Sequence, residues 1–417
     1  MKLAKVQHLQ NVYDNITMRI KSKIVVALFI AIAFIISFAF NLNMWGSATS
    51  LQESINQIIR THRIPYCNIA LMHDGTVEYE SHSLKGEDLT SMNLYLSGGV
   101  TEILTGLSLN LLFNDGILSP DDTITKFYPW LTFNYGNKPI EITIRQLASH
   151  SSGIPLRTQD ELFGEDYDGK LRAAMHGVSG ANLDFLPGTA YKRVQTNYAI
   201  LAFIIEKVTG TSWSQYVTEN VIKPLGLTNT YIGYEDVPET AKLTTGSRTC
   251  AFLILNYDVT LNGANLSSKG MLTCAEDLVR LIGILSGDTA IAEDSGESEP
   301  VTKLSKAVEM LMTGESCAFS PEETGCDAFF GGVFFSKESN SFYMNGEMEN
   351  FSTSIWFNTA TKQGVIVQCS GMKAQSDKIL ENCRKELDEK DDFLLSFIST
   401  ETLNILNTFL CIIIIYF

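Results

Sequence analysis

Apolar side chains recur every three or four positions in several stretches of this chain, the spacing that places them on one face of a helix. The longest such run follows Ser97-Gly98-Gly99 and predicts a buried helix ending near Asn114-Asp115-Gly116, with apolar residues at Ile103, Leu104, Leu107, Leu109, Leu111 and Leu112. The same spacing predicts four further helices, at Leu51–Thr61, at Tyr198–Val208, from Leu272 onward and at Ala374–Leu387.

Strand patterns lie at both ends of the region between Leu51 and Leu387. Tyr66–Met72 and Val77–Tyr79 predict a hairpin whose turn is His73-Asp74-Gly75-Thr76. Four later stretches read as antiparallel strands, at Phe329–Phe335, Ser341–Met344, Ser352–Phe357 and Gly364–Cys369. The order predicts an α/β (α+β) fold, in which an antiparallel sheet flanked by helices is completed late, after a large all-α insertion. Because both ends are needed to close the sheet, residues 51–387 are expected to form one folding unit.

An apolar run near the N-terminus predicts a membrane segment. Ile24 to Leu42 contains 19 uncharged, mostly apolar residues, about the length that crosses a bilayer core as a helix. Five basic side chains precede it, and the next Lys or Arg is Arg60, which predicts a cytosolic tail at residues 1–23 and a body on the extracytoplasmic or lumenal side. A cleaved signal peptide is the alternative; the long leader and the lack of a small-x-small site favour an uncleaved signal-anchor.

The C-terminal tail, residues 388–417, ends in a second apolar stretch. Leu403 to Phe417 is short and contains Asn404 and Asn407. A second membrane span, an interfacial helix and the removed tail of a lipid-anchor signal all fit this pattern, so the three readings stay open.

The net charge and the spacing of the cysteines bear on which partners and ligands the chain is expected to bind. The formal net charge is −16, and since the first 23 residues are net positive, the body is more acidic still and unsuited to nucleic acid. Eight cysteines show no zinc-like spacing, so no metal and no cofactor is predicted. In an oxidising compartment Cys317 and Cys326 would close a small loop, while the other cysteines read as ordinary buried thiols.

Five segments resemble one family of serine hydrolases, in order and at matching spacing. Ile142–Pro155 is similar nearly residue for residue to the family stretch ITIRQLLTHTSGLP. The other four are Pro187-Gly188-Thr189 with Asn197-Tyr198, then Ile204–Gly210, Val221–Thr230 and Lys269–Leu278. From about Gln52 to Leu387 the chain resembles the serine β-lactamase and penicillin-binding-protein superfamily, in its class C β-lactamase, D-alanyl carboxypeptidase and esterase branch. The resemblance implies a β-lactamase/transpeptidase-like fold.

The first catalytic motif that this resemblance implies is substituted. Active members carry S-x-x-K at the start of a buried helix, where the lysine one turn on helps to deprotonate the serine. Here the serine position is Gly99 and the lysine position is Glu102. No lysine lies between Lys85 and Lys126, so no small shift in register restores the pair.

The other two family motifs are substituted as well. After Pro187-Gly188-Thr189, the Tyr and Asn positions of Y-x-N hold Arg193 and Gln195. The K-T-G or H-x-G motif corresponds to Met344-Asn345-Gly346, which keeps only the glycine that allows close backbone approach.

Short motif copies elsewhere read as chance matches, because such a motif counts only in its structural context. Ser370-Gly371-Met372-Lys373 fits S-x-x-K where the last strand leaves the sheet. Tyr66-Cys67-Asn68 fits Y-x-N in an opening strand, and His73-Asp74-Gly75 fits H-x-G in a hairpin turn.

These substitutions predict a catalytically inactive member of the family, a pseudoenzyme that serves as a binding or interaction module. Opposite charges at positions 102 and 193 predict a carboxylate–guanidinium pair across the old catalytic centre, since either charge buried alone is costly. A peptide-like or acyl ligand is expected in the residual cleft. His150 and Glu276 lie in fold-defining segments and receive no catalytic role. Of two Asn-x-Ser/Thr sequons, at Asn265 and Asn350, the second lies where a glycan would obstruct the cleft.

Two other readings stay open. The chain could be an active esterase, peptidase or β-lactamase-like hydrolase with an atypical nucleophile such as Thr101 or Ser97. It could also be an anchored ectodomain that uses its surface and not its cleft.

Overall fold

The structure is a computed structural model that describes most of the chain between residues 50 and 387. The described residues are 50–73, 75–84, 86–158, 171–250, 253–257, 259–261, 263–287, 299–313, 326–371 and 375–387. Among these described residues, those in 63–249 and 254–387 fall in one compact unit, whereas 51–62, 250 and 253 belong to another. The predicted cytosolic tail, apolar run 24–42 and C-terminal tail 388–417 lie outside the described residues, and none of the described helices is long and apolar enough to cross a bilayer.

A seven-stranded antiparallel sheet joins the beginning and the end of the larger unit. The strands are β1 Tyr66–His73, β2 Thr76–Ser83, β10 Ala328–Phe330, β11 Val333–Ser336, β12 Ser341–Glu347, β13 Phe351–Asn358 and β14 Gln363–Ser370. Their spatial order is β10-β11-β12-β13-β14-β1-β2, so the first strand pairs with the last. The predicted antiparallel sheet, closed by strands far apart in sequence, is confirmed.

Helices make up most of the long insertion between the early and the late strands of the sheet, and one further helix lies at each end of the described chain. They are α1 Leu51–His62, α2 Glu102–Asn114, α3 Ile124–Phe127, α4 Ile144–Ala148, α5 Leu171–Val178, α6 Gln195–Thr209, α7 Trp213–Val217, α8 Leu266–Lys269, α9 Ala275–Leu285, α10 Glu299–Thr313 and α11 Gln375–Leu387. Capping chemistry sets two of these helix ends: Thr143 and Gln146 form a capping box at the start of α4, and Gly210 ends α6 with φ +75°.

Smaller strands lie within the insertion that was predicted to be all-α, so this insertion is mainly but not wholly helical. They are β3 Tyr95–Leu96, β4 Phe133–Tyr135, β5 Lys138–Ile140, β6 Tyr231–Ile232, β7 Ser247–Cys250, β8 Leu253–Asn256 and β9 Met271–Thr273. Strand β9 lies between β3 and β6, and a second small sheet pairs β4 with β5.

The central helix α2 lies in the middle of the hydrophobic core. Every residue from Glu102 to Leu112 is buried, the pattern of a helix that other elements surround on all sides. Its Gly106 packs against Gly331 so closely that a Cβ at Gly106 would approach the Gly331 Cα to 2.6 Å. The helix therefore has a fixed position relative to the β10–β11 hairpin.

Two element boundaries differ from the predictions. The stretch predicted as one strand, Phe329–Phe335, is a hairpin, because Gly331 and Gly332 have φ of +58° and +82° and reverse the chain. The helix predicted from Leu272 starts at Ala275, since residues 271–273 pair with β3 and β6 as a strand.

Candidate functional site

The site predicted from the sequence forms around the turn that leads into α2. The Ser97 N–H donates to the Met271 carbonyl at 2.9 Å, which holds the turn against β9. Residues Gly98–Thr101 then make a single 3₁₀ turn, and Glu102 is the first residue of the α-helix. Gly98 has φ +51°, a conformation in which glycine carries no steric penalty.

Strand β12 approaches this turn along its backbone. A Cβ on Gly346 would overlap the Ser97 carbonyl oxygen and lie 2.8 Å from the Gly99 nitrogen. Only glycine permits this approach, which explains why the glycine of the third motif is kept while its other positions have changed.

Arg193 reaches into the gap between β12 and the turn from the segment just before α6. All five N–H donors of its guanidinium have acceptors on three residues. Nε donates to Glu102 Oε1 at 3.4 Å, Nη1 to the Asn345 carbonyl at 3.2 Å and Oδ1 at 2.6 Å, and Nη2 to the Gly99 carbonyl at 3.1 Å and Glu102 Oε2 at 2.9 Å. No N–H of this side chain is left over for a ligand.

The guanidinium occupies the space that a side chain at Gly99 would need. A Cβ at Gly99 would lie 2.8 Å from Arg193 Cζ and 3.0 Å from the Asn345 carbonyl oxygen, and would overlap Nη2. A serine therefore does not fit at position 99 while Arg193 is in place.

Glu102 is the anion at the centre of this site. Its side chain is 2% exposed, and it accepts from Arg193 on one side and lies 3.3 Å from His150 Nε2 on the other. Burial alone raises the pKa of this carboxyl, but Arg193 and His150 together outweigh burial and hold the pKa below its usual value. The predicted carboxylate–guanidinium pair forms, and Glu102 is a charged ion-pair partner and a weak base.

His150 is a second partner of Glu102, and this contact was not predicted from the sequence. Its Nδ1 accepts from the Asn197 side-chain nitrogen at 2.8 Å, so the ring proton lies on Nε2, where it is donated to Glu102. Burial lowers the pKa of His150, so the ring is neutral. The backbone at His150 has φ +54°, which is uncommon outside glycine and turns the ring toward the helix start.

Rings enclose His150 on its other sides. Tyr198 and Phe329 lie with ring centroids 5.0 and 5.3 Å from the imidazole, and Tyr191 packs edge-on at 6.0 Å. Beyond Asn197 the polar chain continues to the Ser152 hydroxyl, which donates to Asn197 Oδ1 at 2.7 Å. A buried carboxylate is costly unless further polar groups satisfy its lone pairs. His150, the one histidine in the Ile142–Pro155 segment, was the residue in the sequence that pointed to such a partner for Glu102.

The remaining predicted positions do not join this network. Met344 is fully buried in the hydrophobic core, because the alternation of β12 turns its side chain to the face shared with Phe342. Asn345, between the two predicted positions, supplies the contacts to Arg193 instead. Gln195 begins α6, and its buried Oε1 has no hydrogen-bond partner among the described residues.

The two alternative nucleophiles are both buried. Ser97 is 0% exposed, and its hydroxyl has no hydrogen-bond partner within the described part of the chain. The Thr101 hydroxyl oxygen accepts from the Met271 N–H at 3.1 Å and so helps to hold β9. The chance S-x-x-K copy lies partly outside the described residues, at Met372 and Lys373.

The expected glycan at Asn350 conflicts with the structure. Asn350 is 1% exposed, and its amide nitrogen donates to the Tyr257 carbonyl at 2.7 Å, so the atom that would carry a glycan is buried and engaged. Asn265, in the other sequon, is 2% exposed.

Glu276 accepts from the Ser91 hydroxyl at 2.5 Å, far along the chain from Glu102. Across the described ranges, no group of three His, Cys, Asp or Glu residues is placed to hold a metal ion.

Comparison with known proteins agrees with this fold. Protein flp from Staphylococcus aureus is 25% identical over 299 residues, which cover 69% of this chain and 55% of that protein. A putative D-alanyl-D-alanine carboxypeptidase from Escherichia coli is 30% identical over 184 residues, 42% of this chain and 41% of that protein. The chain thus spans about half the length of the curated relatives that it matches.

A solved structure shares the fold at low identity. The octameric penicillin-binding protein homologue from Pyrococcus abyssi superposes with a TM-score of 0.64 at 20% identity, covering 82% of this chain and 77% of that one. The model of the Beta-lactamase family matches residues 51–385. With the sheet, the helical layer and the glycine-mediated approach of β12 to the turn at Gly98–Thr101, this match shows that the chain belongs to the Beta-lactamase family of serine-hydrolase-like proteins.

Proposed function

We propose that this chain is a catalytically inactive member of its family and serves as a binding or interaction module. The observation that carries the proposal is the position of Arg193. Its guanidinium lies where a nucleophile at position 99 would project, and all its donors are taken by Glu102, Asn345 and Gly99. The place of the reacting group is filled by a side chain with no nucleophilic chemistry.

The chemistry of acyl transfer supports the same reading. Attack on a carbonyl carbon requires a nucleophile within hydrogen-bond reach of a base. Position 99 has no side chain, and Glu102 is ion-paired with its pKa held down, so it takes up a proton poorly. Loss of nucleophile and base together removes most of the acceleration in such enzymes, leaving what oriented backbone N–H groups and binding provide.

The proposed ligand is peptide-like or acyl in character, held in the residual cleft. Similarity to the E. coli protein, a putative D-alanyl-D-alanine carboxypeptidase, supports a peptide-like ligand. The ligand would pass over the partly exposed edge of Arg193, whose side chain is 27% exposed. We further propose that the chain is anchored in a membrane through Ile24 to Leu42, with its body on the extracytoplasmic or lumenal side.

Turnover and binding assays on the same purified protein test this proposal. We expect no hydrolysis of a chromogenic ester or a chromogenic cephalosporin above the buffer rate, with a class C β-lactamase as the positive control for the reagents. A thermal-shift series with D-alanyl-D-alanine peptides and N-acyl amino acids is expected to raise the melting temperature for at least one of them.

The alternative, an active hydrolase with an atypical nucleophile, gives the opposite result. Turnover that disappears in Ser97→Ala or Thr101→Ala, but not in the surface control Ser214→Ala, would replace the proposal with that alternative. Absence of both turnover and any thermal shift would favour the reading in which only the surface is used.

A further inference from the structure

Two buried cysteines lie directly opposite each other where the first and last strands of the sheet meet. Cys67 on β1 and Cys369 on β14 are register partners in an antiparallel pair. Their exposures are 0% and 1%, and the two Sγ atoms are 3.4 Å apart. They are 302 residues apart in sequence, so spacing along the chain gives no sign of their proximity.

This geometry is favourable for a covalent bond. Directly opposed residues on antiparallel strands have Cα atoms about 4.5 to 5.5 Å apart, which falls within the range that disulfides span. Opposed side chains also point to the same face of the sheet. A bond of about 2.05 Å needs the sulfurs to move only about 1.4 Å closer, which small rotations about the two Cα–Cβ bonds provide.

We propose that Cys67 and Cys369 form a disulfide that links the first and last strands when the chain folds in the presence of a thiol oxidant. The oxidant is a small disulfide such as oxidised glutathione or the active-site disulfide of an oxidoreductase. The S–S bond of the oxidant breaks, and a new S–S bond forms between Cys67 and Cys369. The two protons of the cysteine thiols pass to the two sulfurs of the oxidant, which become thiols. Two electrons move from the cysteine sulfurs to the oxidant, so the exchange balances.

Burial determines when the bond forms. A thiolate is the attacking species in disulfide exchange, and burial raises the pKa of the Cys67 thiol in the closed sheet. Attack on the oxidant therefore takes place before β14 docks on β1, and docking then brings the second sulfur into place. The folded, reduced protein reacts slowly. The modification records the compartment in which the chain folded and is independent of whether the candidate site is catalytic.

Two other buried cysteines provide controls. Cys383 on α11 is 0% exposed, and Cys67 is close enough to add to the rise in the pKa of the Cys383 thiol, which makes Cys383 the competing partner. Cys274, at the start of α9, is equally buried and belongs to another part of the fold.

Thiol mapping of the full chain tests the proposal. The denatured protein is refolded in a mixture of reduced and oxidised glutathione, denatured again without reductant and treated with an alkylating reagent. We expect a linked peptide pair containing Cys67 and Cys369, and loss of alkylation at both of these cysteines relative to the reduced protein. Cys274→Ser and Cys383→Ser should keep the link, whereas Cys67→Ser should leave Cys369 alkylated.

A stability measurement distinguishes a real cross-link from an artefact of refolding. Reduction should lower the melting temperature of the oxidised protein by about 5–10 °C, because closing so long a loop removes much unfolded-state entropy. The Cys67→Ser/Cys369→Ser variant should show no such drop. Free thiols at both positions after oxidative refolding, or a link from Cys67 to Cys383 instead, would overturn the proposal.

Discussion

Arg193 is a single side chain that donates hydrogen bonds to a buried carboxylate, to the carbonyl of a turn and to two oxygens of a strand residue. Its planar fork of five N–H groups matches acceptors on Glu102, Asn345 and Gly99, which a lysine or tyrosine at the same position does not do. Breaking a buried ion pair by removing one partner is costly, because the other charge stays buried without compensation.

A double-mutant cycle measures this pairing. We expect Arg193→Met to lower the free energy of unfolding by about 3–5 kcal/mol, because it leaves Glu102 charged and 2% exposed. Arg193→Met/Glu102→Met should recover much of that loss, since two apolar side chains of similar volume replace the pair. Urea unfolding of the single and double variants provides the measurement.

An exposed ion pair in the same chain is the matched control. Lys223 and Glu219 are 2.6 Å apart with side chains 62% and 54% exposed, so their coupling energy should not exceed about 0.5 kcal/mol. A coupling energy for Arg193 and Glu102 no larger than that of this surface pair would contradict the account.

The neutral state of His150 predicts an acid-labile fold. Burial lowers the pKa of His150 in the folded protein, so between that pKa and the ordinary value of 6.5 only the unfolded chain binds the proton. The unfolded state then holds more protons, and stability falls as the pH drops below about 6.5. The pKa of Glu102 is also lowered, because Arg193 and His150 outweigh the burial that raises it. A second loss of stability therefore follows below about pH 4.5.

Urea midpoints measured from about pH 8 to about pH 3 test this dependence. The wild type should lose stability below about pH 6.5 and again below about pH 4.5. His150→Gln should show only the second of these losses. A flat wild-type profile between pH 7 and 5, or an unchanged slope in His150→Gln, would show that His150 is not buried in its neutral form.

At the scale of elements, the approach of β12 to the turn Gly98–Thr101 is the feature that positions the site. Gly346→Ala would push a Cβ into the Ser97 carbonyl and close to the Gly99 nitrogen, both backbone atoms that cannot move aside cheaply. We expect a loss of about 3 kcal/mol or more in unfolding free energy. Ser341→Ala, at the start of the same strand, is the control and should cost under about 0.5 kcal/mol; equal effects of the two variants would refute the close approach.

Elements with strong periodicity could be predicted, and contacts across the sheet could not. The central helix follows from apolar spacing at Ile103 to Leu112, and the hairpin after Tyr66 from turn chemistry. The ion pair between Glu102 and Arg193 could be predicted, because the two residues have opposite charges and occupy family positions that face each other. His150 and Asn345 were missed: the first depends on a positive φ after α4, the second on which face of β12 each side chain occupies. Cys67 and Cys369 meet only after the whole sheet has closed.

At the scale of the whole molecule, the family domain and the N-terminal apolar run are separate features of the chain. The Beta-lactamase family match starts at residue 51, after Ile24 to Leu42. We expect a variant lacking residues 403–417 to sediment with membranes and resist alkaline carbonate extraction, as the full chain should, and a variant lacking both 1–49 and 403–417 to be found in the supernatant. Full-length protein in the supernatant, or a mature N-terminus after residue 42, would contradict the proposed anchor.

Intact-protein mass spectrometry after incubation with a serine-reactive phosphonate tests the central claim most directly. The account predicts an unchanged mass, because Arg193 occupies the place of the nucleophile and the hydroxyls of Ser97 and Thr101 are buried, while a class C β-lactamase treated in parallel gains one adduct. A stoichiometric adduct on this chain that is lost in Ser97→Ala or Thr101→Ala would contradict it.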